Sequence, residues 1–224
     1  MKKIFAMLLA AAMLFALVAC GSDTQQKETS PLSKTDENTN TTDNNEPPEE
    51  SEIGEPDNTD VLVSDGENIL IAYFSKSGNT ETIANMIAEQ TGGKLFKVET
   101  ETPYPEDYDE TVDIAREEQD NDTRPELSTH VEDMNQYDII YLGYPIWWGT
   151  MPQAIFTFLE EYDFSGKTII PFCTHGGSAL GRSESDITNL VPDVHLLSGL
   201  AVSDSRVDDA QAGVEEWLND LEVE

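Results

Sequence analysis

Residues 69–80, reading ILIAYFSKSGNT, constrain this chain more than any other stretch. Five apolar residues, Ile69 to Tyr73, lead through Phe74 into a short polar loop, and that loop opens an amphipathic helix. The first N–H groups of a helix have no partner within it, and its dipole favours negative charge at that end. Ser75, Ser77 and Thr80 add hydroxyl donors, Gly78 lets the backbone take a positive φ or approach a ligand closely, and Asn79 suits a turn or cap. A buried strand feeding such a turn is an anion site that suits a terminal phosphate. The loop has neither the GxxxxGK(S/T) spacing of a nucleotide-triphosphate loop nor the GxGxxG of a dinucleotide fold.

The N-terminus reads as a targeting segment. Lys2 and Lys3 precede an uncharged apolar run over residues 4–18, closed by Ala19, Cys20 and Gly21. This is a secretory signal over residues 1–19, too short and wrongly flanked for a membrane span. The segment Leu17-Val18-Ala19-Cys20 resembles a bacterial lipobox, which implies cleavage before Cys20 and diacylglycerol on its sulfur. No Arg-Arg pair is present, so export is expected to occur unfolded. The only other cysteine is Cys173, so with Cys20 lipidated no internal disulfide can form. The folded part must then rest on a hydrophobic core. His130, His175 and His195 are far apart, and no Cys/His cluster has metal-ligand spacing.

Residues 20–66 change character. They are rich in Ser, Thr, Asn, Asp, Glu and Pro, lack aromatics and carry 13 acidic against 2 basic residues. Such a segment buries too little apolar surface to offset its ordering entropy and is expected to be a disordered acidic tether. A flexible chain of this length spans about 40 Å. Residues 67–224 have the length of one domain. That domain carries 8 basic and 32 acidic residues, part of the −33 of the whole chain. A field of that sign argues against nucleic-acid binding and favours basic partners.

Within the domain, apolar runs alternate with amphipathic stretches. Strands are predicted at 69–74, 94–98, 138–142, 168–173 and within 194–202. Helices are predicted at 81–90, 108–120, 152–162, 183–190 and 208–221. Repeated β-α units imply an α/β fold with a mostly parallel sheet covered on both faces. Ligands of such folds bind at the carboxyl ends of the strands.

Three strand-end loops therefore matter. The first is 75–80. The second, GYPIWWGTM at 143–151, carries adjacent tryptophans that core packing alone explains poorly. A planar ring system such as a flavin would give one of them a stacking partner. Gly149 would let a backbone peptide reorient beside that ring. The third, THGGSALG at 174–181, has glycines that let amides face a ligand.

Together the three loops resemble the flavodoxin family, in particular its bacterial flavodoxin-like branch with an SKSGNT phosphate loop and a YPIWW loop. Ser75, Ser77, Gly78 and Thr80 match the family's T/S-x-T/S-G-x-T pattern, and the resemblance covers about residues 68–222. It implies a flavodoxin-like three-layer sandwich, a five-stranded parallel sheet of order 2-1-3-4-5, and noncovalent FMN. By the same resemblance Ser75, Lys76, Ser77, Gly78, Asn79 and Thr80 hold the phosphate. Pro145, Ile146, Trp147, Trp148 and Gly149 flank the isoalloxazine, and Thr174, His175, Gly176 and Gly177 line its other edge. No catalytic residue and no metal ligand is implied.

The connection over residues 100–135 is longer than in short-chain flavodoxins and can shape a substrate pocket or a partner surface. Tyr104 within it either covers the flavin or packs inside the insertion. His175 either donates to a flavin carbonyl, acts on a substrate, or is simply exposed. Cys173 reads as an inert core thiol.

Three functions are compatible with these residues. One is an electron carrier anchored outside a bacterial cytoplasmic membrane by lipid on Cys20, exchanging electrons with redox proteins that present a basic docking face. The second is an FMN-dependent NAD(P)H or quinone oxidoreductase, for which Arg124 and Arg182 are the candidate cofactor cations. The third, a non-redox binding lipoprotein, sits poorly with an intact phosphate loop.

Overall fold

The computed structural model describes residues 68–221; the expected signal segment, Cys20 and the acidic tether lie outside them. Six parallel strands form one sheet: β1 (Ile69–Tyr73), β2 (Lys94–Lys97), β3 (Ile139–Pro145), β4 (Thr168–His175), β5 (His195–Leu196) and β6 (Leu200–Ser203). The order is β2-β1-β3-β4-β5, with β6 also paired to β4. The helices are α1 (Asn79–Thr91), α2 (Tyr108–Asp120), α3 (Gln153–Glu161), α4 (Ser183–Leu190) and α5 (Gln211–Asp220). Among the described residues no helix is long and apolar enough to cross a membrane.

The layers follow from the two-residue period of a strand. Leu70, Ala72 and Phe74 point to one face with Ile140, Leu142, Tyr144, Ile169 and Cys173. They meet Ala154, Ile155, Phe158 and Leu159 of α3 and Ile187 of α4. Ile69, Ile71 and Tyr73 point the other way with Tyr141, Ile170 and Phe172, against Ile83, Ala84 and Ile87 of α1 and Val214 of α5. A strand buried on both faces needs an unbroken apolar run, and all five residues of β1 are buried. Each fully buried Leu, Ile or Phe contributes roughly 1.5–3 kcal/mol, so two such faces stabilise the domain without a disulfide.

The sequence places a single fifth strand within 194–202, but the structure divides it, and the cause lies in β4. Odd-numbered carbonyls there face the neighbouring strand: Lys167 O accepts from His195 N at 2.9 Å and Ile169 O from Leu197 N at 3.0 Å. Pro171 then stands where the next N–H donor is needed, and it has none. A Cβ on Gly199 would lie 2.9 Å from Pro171 Cγ, so Gly199 lets the chain pass the pyrrolidine ring before β6 resumes opposite Phe172.

Helix starts also differ. The last helix was expected to open at Asp208 and Asp209. Those residues instead end a 3-10 turn over Asp204–Asp209 that buries Val207, and α5 begins at Gln211. In α1, Asn79 is the first helical residue and Gly78 is the cap, with φ +91°. Its missing side chain makes that left-handed turn accessible.

Candidate functional site

Because all strands run parallel, the loops after β1, β3 and β4 emerge at one edge of the sheet. β1 has β2 on one side and β3 on the other, the switch point where such folds hold ligands. A cavity of about 740 Å³ opens there. Of the sequence-derived residues it is lined by Lys76, Ser77, Pro145, Ile146, Trp147, Trp148, Gly149, Thr174, Gly176 and Gly177.

The first loop is built around its amides. Among the described residues, the backbone N–H groups of Lys76, Ser77, Gly78, Asn79 and Thr80 have no acceptor. The next amide, Glu81 N–H, donates to Ser75 Oγ at 3.2 Å, which closes the loop from behind. Consecutive open amides at a helix N-terminus form an anion cradle. Ser77 presents its side chain to the cavity, and Lys76, paired with Glu106 at 3.9 Å, brings a cation to its wall.

The other predicted members support this cradle from outside the lining. Asn79 Nδ2 donates to Asp204 Oδ1 at 3.1 Å. Thr80 is buried and its hydroxyl lies 3.0 Å from that of Thr174, tying the first loop to the end of β4. Only one of those two hydroxyls donates to the other, so one proton stays free for a ligand.

The second loop is a two-residue hairpin. Trp147 N–H donates to Thr150 O at 2.8 Å, and Thr150 N–H donates back to Trp147 O at 3.1 Å. Trp148 and Gly149 form the turn, both with positive φ, +49° and +83°. This is the type I′ sign pattern, in which Asn-Gly is the favoured pair. A non-glycine residue held there costs on the order of 1–3 kcal/mol. Gly149 O accepts from Arg182 N at 2.9 Å, and Thr150 Oγ1 donates to Asp186 Oδ2 at 2.5 Å. The second loop is thereby fastened to the start of α4. Gly181 is required at this seam, because a Cβ there would sit 2.3 Å from Gly149 O. Among the described residues the Trp148 carbonyl has no donor, so it is the free acceptor of the turn.

The two tryptophans have different surroundings. Trp147 is half-buried, edge-on to Phe74 and Tyr104 with ring centroids 5.4 and 5.1 Å away. Trp148 is 43% exposed on the cavity rim. Its Nε1–H donates to Val112 O at 3.1 Å.

In the third loop His175 is neither free nor on the cavity wall. Its Nδ1 accepts from Gly177 N–H at 2.9 Å, so the imidazole shapes its own loop and the proton of its neutral form sits on Nε2. Beneath the loop, Cys173 Sγ lies 3.5 Å from Ala179 O, and burial pushes its thiol up to about 12. Tyr144 OH donates to Ser183 Oγ at 2.9 Å, and burial raises that phenol as well.

The insertion supplies the wall that the sequence reading did not assign to particular residues: Glu106, Tyr108, Thr111, Val112 and Ala115, with Ser178 and Asp204 from elsewhere. A signal existed, since 108, 111, 112 and 115 share one helical face of an otherwise acidic helix. Tyr104 is packed and off the cavity lining: its ring meets Phe74 and Trp147 edge-on, its OH donates to Glu118 of the insertion at 2.7 Å, and burial raises its phenol. The proposed Arg124–Arg182 pocket does not form at the cavity. Arg124 is held by Glu160 (2.9 Å), Asp122 (2.7 Å) and Gln153 (2.8 Å), and Arg182 by Asp186 (3.1 Å).

The family model described as Flavodoxin matches residues 68–221. Flavodoxin 1 of Escherichia coli strain K12 is 33% identical over 106 residues, 46% of each chain. The flavodoxin of Klebsiella pneumoniae is 32% identical over the same length. The chain thus spans about half the length of the curated relatives it matches. Among solved structures, a candidate flavoprotein from Bacteroides eggerthii is 30% identical with a TM-score of 0.61, covering 70% of this chain and 99% of that one. A flavoprotein from Lactobacillus acidophilus in complex with FMN is 28% identical with a TM-score of 0.54, covering 64% and 97%. With its domain matched from end to end, the chain belongs to the flavodoxin family.

Proposed function

We propose that this flavodoxin binds one FMN in the cavity and carries electrons between protein partners while anchored by a lipidated Cys20 outside a bacterial cytoplasmic membrane. The observation that carries the cofactor assignment is the run of five amides, residues 76–80, without an acceptor among the described residues. A phosphate monoester satisfies several such donors at once, and the α1 dipole adds to the attraction. Ser75, Gly78, Asn79 and Thr80 hold the loop in shape, while Lys76 and Ser77 face the ligand. Pro145, Ile146, Trp147, Trp148 and Gly149 give the flat wall a flavin ring needs, and Thr174, Gly176 and Gly177 leave room on the other side. His175 acts through the backbone of that loop.

Bound FMN supplies the redox chemistry; the protein supplies position, dielectric and charge. Glu106 and Asp204 on the lining place negative charge beside the site and disfavour negative charge on the reduced ring. The Trp148 carbonyl, which has no donor among the described residues, would accept a hydrogen bond from a protonated ring nitrogen of bound FMN. No side chain is required to form or break a covalent bond, which suits a carrier.

The test is a pair of titrations of the purified protein, with FMN and with riboflavin. FMN is expected to bind one to one and more tightly. Changing Ser77 and Thr80 together to Ala should weaken FMN by at least about tenfold, the scale of hydrogen bonds to a charged group, and riboflavin far less. Equal weakening of both ligands counts against the phosphate assignment. For the anchor, Cys20→Ala should abolish metabolic lipid labelling, and labelling that persists refutes it.

One observation favours the second reading, an FMN-dependent NAD(P)H or quinone oxidoreductase. The face of α2 that carries Val112 and Ala115 walls the cavity, which an electron carrier does not need.

A further inference from the structure

Trp148 occupies a position that its residue type disfavours, and α2 makes two polar contacts with its indole. The indole Nε1–H donates to Val112 O at 3.1 Å. One turn further along the same helix, the Arg116 guanidinium lies over the indole ring, 4.5 Å from its centroid. Trp148 lines the cavity and Arg116 does not. The cation covers one face of the indole, while the ring itself stays on the cavity lining. Arg116 also reaches Asp120 at 3.7 Å, an exposed pair that by itself stabilises little. A guanidinium stacks on an aromatic face as a plane and a charge together, which a neutral side chain cannot reproduce.

We propose that α2 is the positioning element for the flavin ring and Arg116 its positioning residue: stacked behind Trp148, it locks the strained turn so that the indole stands as a preformed platform before the cofactor arrives. Preorganisation of this kind raises affinity by removing the cost of ordering the loop on binding. It also keeps a positive charge behind the platform, where it favours the more negative, reduced ring and partly offsets the acidic lining. The inference rests on the FMN reading above.

The experiment compares wild type with R116Q and R116K in three measurements. In the FMN-free protein, amide exchange at Trp147 and Thr150, the two hairpin donors, should quicken in R116Q, while the Glu81 amide in the phosphate loop stays unchanged. Affinity for FMN and for riboflavin should fall together, by roughly two- to fivefold. The midpoint potential of bound flavin should move down in R116Q, and R116K should recover most of that shift because the charge is retained. A purely structural role for Arg116 moves neither the potential nor its recovery. If wild type binds FMN and R116Q matches it in exchange, affinity and potential, the positioning role is overturned and the FMN reading stands. If wild type binds neither flavin, both fall together.

Discussion

The loop after β1 leaves five consecutive amides without an acceptor among the described residues, whereas the loop after β3 closes two bonds on itself and two more onto the start of α4. One is unsatisfied and the other over-determined. On the proposed FMN reading, the difference matches the two ends of that ligand. A phosphate carries its own charge and acceptors, so a cradle for it can wait with donors exposed. A flat ring brings mostly surface, so its site must already be rigid and at the right spacing. Strain is stored accordingly: Gly78 takes its left-handed turn freely, while Trp148 is held in one against its preference.

The largest expected effect tests this division within the second loop. Trp147 sits in the Phe74–Tyr104 cluster, and replacing it by Ala should cost about 2–4 kcal/mol of stability. Trp148→Ala should cost about 1 kcal/mol, the scale of one hydrogen bond, yet weaken flavin binding more per unit of stability lost. Urea unfolding beside flavin titration separates the two. Equal stability losses would mean that both tryptophans are core residues and that the platform is misassigned.

Much of the fold was legible because it is locally encoded. The unbroken apolar run of β1 and the helical period of α2 depend only on neighbours in sequence, and α2 runs over residues 108–120 as read. What was not legible depends on partners far along the chain. The fifth strand divides because Pro171, in the adjacent strand, lacks a donor. Thr80 meets Thr174 from 94 residues away, which no spacing rule anticipates. The site loops were readable as loops, but the cavity wall from Tyr108 to Ala115 was hidden in a helix nearly half of whose residues are acidic. His175 looked chemically free because its bond to Gly177 N–H exists only once the glycine loop has its shape.

A pair of glycine substitutions gives the next largest effect and compares the two loops directly. Gly78→Ala introduces a Cβ with nothing within 4 Å, so it should cost only the left-handed penalty, about 1–2 kcal/mol. Gly181→Ala incurs a similar penalty and also drives Cβ into Gly149 O, 2.3 Å away, so its loss should be greater by about 1 kcal/mol or more. The ligand profile should differ too. Gly78→Ala should weaken FMN and spare riboflavin, and Gly181→Ala should weaken both. Identical profiles would show that the loops do not divide phosphate from ring.

The smallest effect concerns how electrons arrive, and it turns on charge. Residues 67–224 carry 24 more acidic than basic residues, and the cavity lining offers Lys76 against Glu106 and Asp204. Arg124 and Arg182, the cations that an NAD(P)H site would need, are held by carboxylates away from the lining. On that charge distribution an anionic nicotinamide cofactor is expected to meet repulsion at the mouth, and the proposed basic partner to be drawn to it. Such steering acts over about a Debye length, roughly 10 Å at 0.1 M salt. Electron exchange between the FMN-loaded protein and a basic redox partner should then slow as salt rises, and the rate should fall at most severalfold where docking is not the limiting step. Direct reduction by NADH or NADPH should be slow and should not saturate. Fast, saturable NAD(P)H oxidation in stopped flow would reverse this order, promote the oxidoreductase reading, and make the α2 wall a substrate surface rather than only the support for Trp148.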